Sequence, residues 1–163
     1  MKRALIIAML TGLVLAFSAY GARRGSSLST VQRQAAYYQI ERIEQIWHKA
    51  ASTKNLDLMV SIWAPNATET VGGQTVTGKA AIRKVFAKAG PFQPQNHWIS
   101  DTPSYKIRVS VNGDRGTLYF ECHYIDVDTG KVAAVVGADQ QVQKINGRWL
   151  ITNLAASTVT LQP

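Results

Sequence analysis

Three histidines, at positions 48, 97 and 123, are the side chains best suited by type to proton chemistry near neutral pH, because an unperturbed imidazole titrates there. His97 opens an extended segment in Asn96-His97-Trp98, with Asp101 and Tyr105 following at four-residue steps. His97 with Asp101 or Tyr105 is therefore the candidate set for general acid–base catalysis. The competing reading makes His97 a hydrogen-bonded structural residue and Asp101, beside Thr102-Pro103-Ser104, a turn former. His48 follows Glu44 by one helical turn, the spacing of an ordinary surface pair. His123 adjoins Cys122, but neighbours in a strand point to opposite faces, which separates the two as nucleophile and base.

Other chemistries lack their residues. A metal centre needs ligands at reinforcing spacings, such as two histidines one turn apart with a third ligand nearby, and no such set occurs. Asp126-Val127-Asp128 resembles the start of a calcium loop, but no further carboxylates follow and Thr129-Gly130 marks a hairpin turn. Gly-x-Ser-x-Gly and phosphate-loop patterns are absent, so the sequence implies no cofactor. Asn66-Ala67-Thr68 matches a glycan acceptor pattern, which matters only in a glycosylating host.

The elements that must position these residues follow from periodicity. Ser29 or Thr30 caps a helix running to about Thr53, with Val31, Ala35, Tyr38, Ile43, Ile46, Trp47 and Ala50 as its apolar stripe. Asn55 caps a second helix, Leu56 to Trp63, which Pro65 ends. Glu69-Thr70-Val71 and Gln74 to Thr77 form a short hairpin around Gly72-Gly73, and a third helix spans Lys79 to Ala89. Trp98 to Val111 alternates with a bulge at Asp101 to Ser104, Gly116 to Val127 alternates again, and a last hairpin turns at Asn146-Gly147. Helices first and strands later predict an α+β fold with helices on one face of an antiparallel sheet.

Length and charge bound the rest. The 163 residues hold one domain behind a leader. Met1-Lys2-Arg3 and the uncharged run Ala4 to Phe17 have the form of a secretory signal, with cleavage predicted after Ala19-Tyr20-Gly21. The expected division is residues 1–21 as signal peptide, 22–29 as a flexible lead-in and 30–158 as the domain, exported to the periplasm or secreted. The alternative is an uncleaved N-terminal membrane anchor, the only membrane contact expected, since Ala4 to Tyr20 reaches the lower end of the roughly 17–25 residues that span a bilayer. The net charge of +8 is spread along the chain without a dense run or interleaved aromatic rows, so nucleic acid is not expected as a partner. Cys122, the single cysteine, reads as a small core residue.

Several motifs then act together. Asn55-Leu56-Asp57 opens helix two and Trp63-Ala64-Pro65-Asn66-Ala67 closes it. Gly78-Lys79-Ala80-Ala81-Ile82 opens helix three, Val111-Asn112-Gly113-Asp114 joins two strands, and Gly147-Arg148-Trp149 lies in the last hairpin. In this order they resemble the SnoaL-like branch of the nuclear-transport-factor-2-like superfamily, over about Thr30 to Ala156. The resemblance implies a cone-shaped fold, in which a curved sheet wraps around the long N-terminal helix and encloses an apolar pocket. It also implies that the convex sheet face pairs two copies as a homodimer, with Tyr119, Glu121 and His123 on that face in the interface or in solvent. Many relatives carry an aromatic residue and a carboxylate where this chain has Ala138 and Gln140, and no catalytic residue carries over.

Strand parity turns Leu118, Phe120, Cys122 and Tyr124 inward. Trp47, Trp63, Phe86, Phe120 and Tyr124 then line a cavity or fill it, with Gln140 and Tyr105 as polar groups to orient an occupant. The expected function is binding of a small apolar molecule, or service as an interaction module, without catalysis. The alternative is a cofactor-free lyase or isomerase acting on a small hydrophobic substrate by acid–base chemistry.

Overall fold

The computed structural model describes residues 28–159; the predicted signal or anchor at 1–21 and most of the lead-in lie outside the described residues. Helix α1 is Thr30–Ser52, and its first turn is closed by a capping box. Ser29 Oγ accepts from the Gln32 amide at 3.3 Å, and the Gln32 side chain accepts from the Ser29 amide at 2.9 Å. The buried stripe runs through Ala36, Ile40, Ile43, Trp47 and Ala50, in alternating steps of four and three. Val31 and Tyr38 stand exposed, as does Ala35. The expected stripe was thus displaced around the helix in the first two turns, where Ala36 and Ile40 are the buried residues.

Helix α2 spans Leu56–Ser61 under an Asn55 cap, with Asn55 Oδ1 accepting from the Leu58 amide at 2.8 Å. It ends before Trp63, and Pro65 lies inside strand β1, Trp63–Val71, rather than stopping the helix. Pro65 falls within a register shift between Trp63 and Thr68, the kind of irregularity where a strand tolerates a residue without an N–H. Strand β2, Gln74–Thr77, folds back on β1 across Gly72-Gly73. Helix α3, Lys79–Phe86, buries Ile82 and Phe86 and is followed by a single 3-10 turn at Gly90–Phe92.

The predicted bulge is a full break. Strand β3, Trp98–Asp101, and strand β4, Arg108–Asn112, pair with successive stretches of one long strand, β5, Arg115–Asp126. Pro103 and a 3-10 turn at Ser104–Lys106 separate β3 from β4. At the gap Thr102 Oγ1 donates to the Glu121 carbonyl at 2.9 Å, so a side chain replaces a lost ladder bond. Strands β6, Lys131–Ile145, and β7, Arg148–Thr158, form the terminal hairpin. Its turn residues Asn146 and Gly147 have φ of 49° and 79°, the paired positive angles that make this dipeptide a register-setting turn.

The sheet order is β2-β1-β7-β6-β5-β3, with β4 also on β5. All neighbours are antiparallel except β1 and β7, which run parallel. The sheet is therefore mixed, a departure from the antiparallel expectation. A parallel neighbour needs a long crossover, and the whole of α3 through β6 supplies it. The α+β architecture otherwise matches the expected cone: three α-helices among the described residues, with α1 laid against β3, β4, β5 and β7 on the inner face of a curved sheet.

Parity in β5 holds as expected. Leu118, Phe120, Cys122 and Tyr124 are buried on the inner face. The Cys122 thiol is free, and burial pushes its pKa far up, which makes it an inert core group. On the convex face Glu121 Oε1 accepts from Lys106 Nζ at 3.0 Å and from the Tyr119 hydroxyl at 3.1 Å. The Arg108 guanidinium lies 3.9 Å from the Tyr119 ring centroid. Burial alone would raise the Glu121 pKa, but these donors hold it below the usual value.

Candidate functional site

Where the wide end of the sheet meets α3, the inner face opens into a cavity of about 310 Å³. Its floor and sides are Trp47 of α1, Tyr124 of β5, Ala134 and Val136 of β6 and Val71 of β1. Val85 and Phe86 of α3, Pro91 and Trp98 close it. Trp98 lies tilted over Tyr124, ring centroids 6.1 Å apart, and its indole covers Gly90. A Cβ placed on Gly90 would sit 2.5 Å from Cζ3 of Trp98, so only glycine lets the ring take this position.

One carboxylic acid enters this apolar wall. Glu69 follows Ala67 and precedes Val71 on the inward face of β1, and it is 3% exposed. Its Oε2 has no hydrogen-bond partner. Burial without a compensating charge raises its pKa to about 7, because an ion in an apolar wall loses hydration that nothing replaces. Tyr124 is the other titratable group on the cavity. Its hydroxyl accepts from Trp47 Nε1 at 3.4 Å, and burial raises its pKa well above the ordinary phenol value.

The residues singled out in the sequence divide between this cavity and other places. Trp47, Phe86 and Tyr124 line it. Trp63 and Phe120 are fully buried beneath it and fill the core, with Trp63 Nε1 left without a partner. Gln140 is 3% exposed, and neither its amide oxygen nor its nitrogen has a partner. It lies on the inner face in the cross-strand row Leu118, Gln140, Leu154, Glu69, two strands from the buried acid.

The acid–base candidates lie elsewhere. His97 Nδ1 pairs with Asp128 Oδ2 at 2.8 Å, both side chains more than half exposed. Asp101 Oδ1 accepts from the Thr102 amide at 2.9 Å on the surface, which is the turn-forming role. Tyr105 is 79% exposed. None of the three lines the cavity.

His48, read as a surface partner of Glu44, is instead buried against the sheet. Thr102 spends its hydroxyl proton on the Glu121 carbonyl, so at 2.6 Å it accepts from His48 Nε2, and Glu44 Oε1 accepts from the same nitrogen at 2.9 Å. Nδ1 meets Ser100 Oγ at 2.6 Å. This network fastens α1 to β3 and to the residue after it, and leaves no ring nitrogen free for a substrate. Its sequence signal was present but weak: Ser100 and Thr102 alternate on the side of β3 that faces α1. Glu69 had a clearer one, a carboxylate at an inward strand position between Ala67 and Val71.

A curved sheet wrapped on a long helix, with an apolar cavity at its wide end, defines a cone domain of the nuclear-transport-factor-2-like class. The chain belongs to the SnoaL-like domain family, whose model matches residues 32–155. Solved structures share the fold. An NTF2-like protein with a cystatin-like fold from Novosphingobium aromaticivorans superposes with a TM-score of 0.69 at 14% identity, over 79% of this chain and 85% of that one. A hexachlorocyclohexane dehydrochlorinase from Novosphingobium barchaimii gives 0.67 at 17% identity, over 83% and 94%. An NTF2-like protein of unknown function from Pseudomonas putida gives 0.67 at 13%, over 80% and 98%. Likeness at these identities shows the fold alone. The chain matches none of the curated proteins in sequence.

Glu69 has a folded-state pKa above its unfolded value of about 4.5. The contribution of Glu69 to stability is therefore greatest at low pH, falls as pH rises from about 4.5 to about 7, and levels off above. The shift sets an upper limit of roughly 3 kcal/mol on the loss. Thermal denaturation between pH 5 and pH 8 should show this fall in the unaltered protein and a flatter profile in Glu69→Gln, which melts higher at pH 8. Parallel profiles would contradict a buried, unpaired carboxyl.

Proposed function

We propose that this chain is an exported SnoaL-like domain that binds a small, largely apolar molecule in the cavity under Trp98, without chemistry on it. The observation that carries the proposal is the cavity itself: a wall of aromatic and aliphatic side chains broken by one unpartnered acid, the usual composition of a small-molecule site. The volume is at the lower end of the roughly 300–1,000 Å³ common for such sites, which favours a small occupant. The only other titratable wall group, Tyr124, is bound to Trp47. Export rests on Met1-Lys2-Arg3 and the apolar run behind it, and places the domain in the periplasm or outside the cell.

A second reading, a cofactor-free lyase or isomerase, is favoured by Glu69 rather than by the histidine of the sequence argument. A buried carboxyl with a pKa of about 7 on an apolar cavity is matched to proton transfer at neutral pH. Against it stands the lack of a second free acid or base on the cavity wall to complete a proton transfer.

Titration of the full chain with the neutral fluorophore N-phenyl-1-naphthylamine should give saturable, one-to-one binding, and Gly90→Ala should weaken it about tenfold, or 1.4 kcal/mol, by pushing the Trp98 ring out of place. Absence of saturable binding would contradict the ligand site. Equal binding by Gly90→Ala would show that Trp98 does not close it.

The convex face extends the proposal to a homodimer. Ile99, Ile125 and Val132 share a cross-strand row there, with Ile99 and Val132 each 46% exposed. Sedimentation velocity should give a dimer that Ile99→Lys dissociates; a monomer at all concentrations would contradict this part.

A further inference from the structure

We propose that the occupant is an amphipathic monocarboxylate, its apolar body under Trp98 and its head group between Glu69 and two lysines, one in α3 and one just beyond its end. This rests on the ligand-binding reading above and narrows it to one chemical class.

The cavity does not end at Glu69. A second hollow of about 430 Å³ lies on the other side, between α3 and the β1–β2 hairpin. It shares Glu69, Val71 and Val85 with the first, and it adds Gln74, Val76, Lys84 and Lys88. A molecule reaching from one to the other must pass Glu69. The first hollow is the apolar one, lined by rings, and the second carries the positive charge.

Two exposed lysines one helical turn apart are ordinarily a solvated face. What distinguishes this pair is the acid behind them, almost completely buried, with Oε2 unsatisfied. As a neutral acid Glu69 has one O–H to donate, and among the described residues nothing donates to its Oε2. An occupant that brings an acceptor would use that proton. A neutral carbonyl would satisfy Glu69 and leave the lysines idle. A carboxylate uses both, taking the Glu69 proton on one oxygen and an ammonium on the other, and such charge-assisted bonds are about twice as strong as neutral ones.

The charged and titratable groups around Glu69 are few: Lys84 of α3 and Lys88 just beyond it share the second hollow with it, and Tyr124 of β5 shares the first. On β2 and β7 its neighbours are Val76 and Leu154. Ionisation of Glu69 replaces a donor with a like charge opposite the bound carboxylate. Affinity therefore falls as pH rises through about 7. A simple carboxylate ligand stays ionised across that range, its own pKa being about 4 to 5.

Displacement of N-phenyl-1-naphthylamine from the full chain tests this at pH 6 and pH 8.5. At pH 6 decanoate should displace the probe at a concentration about tenfold below that of 1-decanol, the equivalent of 1.4 kcal/mol. The double variant Lys84→Gln, Lys88→Gln should bring decanoate to the level of decanol while leaving decanol and the probe unchanged. Glu69→Gln, which keeps a donor and cannot ionise, should abolish the difference between the two pH values. Equal displacement by decanoate and decanol in the unaltered protein, or indifference to the lysine substitutions, would overturn the assignment while the cavity remained a ligand site. Failure of the probe itself to bind would remove the site and this assignment together.

Discussion

Trp47 brings four elements to one ring. Its indole meets Phe86 of α3 edge-on at 5.1 Å and Phe120 of β5 at 5.6 Å, lies tilted against Trp63 of β1 at 6.3 Å, and reaches the Tyr124 hydroxyl through Nε1. Edge-to-face pairs of this kind contribute roughly 0.5–1.5 kcal/mol each beyond the area they bury. More important here is geometry. The ring fixes how far α1 stands from the sheet, and that distance sets whether the wide end of the cone is filled or hollow. Trp63 and Phe120 fill the space below, and the rings above diverge into a cavity.

The apolar lining of that cavity follows from the same rings, and the burial of Glu69 in it decides the acid's state. A carboxylate on the inner face of a strand would ordinarily be offset by a cation or by several N–H donors. The row it occupies offers Leu154 and Val76 instead, and Lys84 and Lys88 stand exposed along the neighbouring hollow. The acid is left neutral at moderate pH, a hydrogen-bond donor within an apolar wall. The His48 network, by contrast, is fully partnered through Ser100, Thr102 and Glu44. Among the unpartnered buried polar atoms, those of Glu69 and Gln140 share one cross-strand row on the inner face.

Much of this architecture was legible in the sequence because it is written in local signals. Asn146-Gly147 set the last hairpin, Asn55 the start of α2, and the alternation of Leu118, Phe120, Cys122 and Tyr124 the inner face. What was not legible depends on partners distant in the chain. The parallel pairing of β1 with β7 carries no short-range mark, so Pro65 read as a helix stop rather than as a residue in an irregular strand. His48 looked like half of a surface pair because Ser100 and Thr102, which bury it, lie about fifty residues on. His97, Asp101 and Tyr105 drew attention by type and spacing, yet all three stand at the surface, His97 beside Asp128 before β3 and Asp101 and Tyr105 at the break between β3 and β4. Three of the six predicted pocket residues, Trp47, Phe86 and Tyr124, line the cavity, since inward parity identifies a face but not the depth at which packing ends.

The central claim is that burial in an apolar wall, without an ion-pair partner, raises the Glu69 pKa and leaves a neutral acid facing the cavity. The most direct measurement is an NMR titration of the Glu69 side-chain carboxyl carbon in the intact protein. The account predicts a midpoint near 7. A midpoint at or below the ordinary glutamate value of about 4.5 would show a hydrated or ion-paired carboxylate and contradict it.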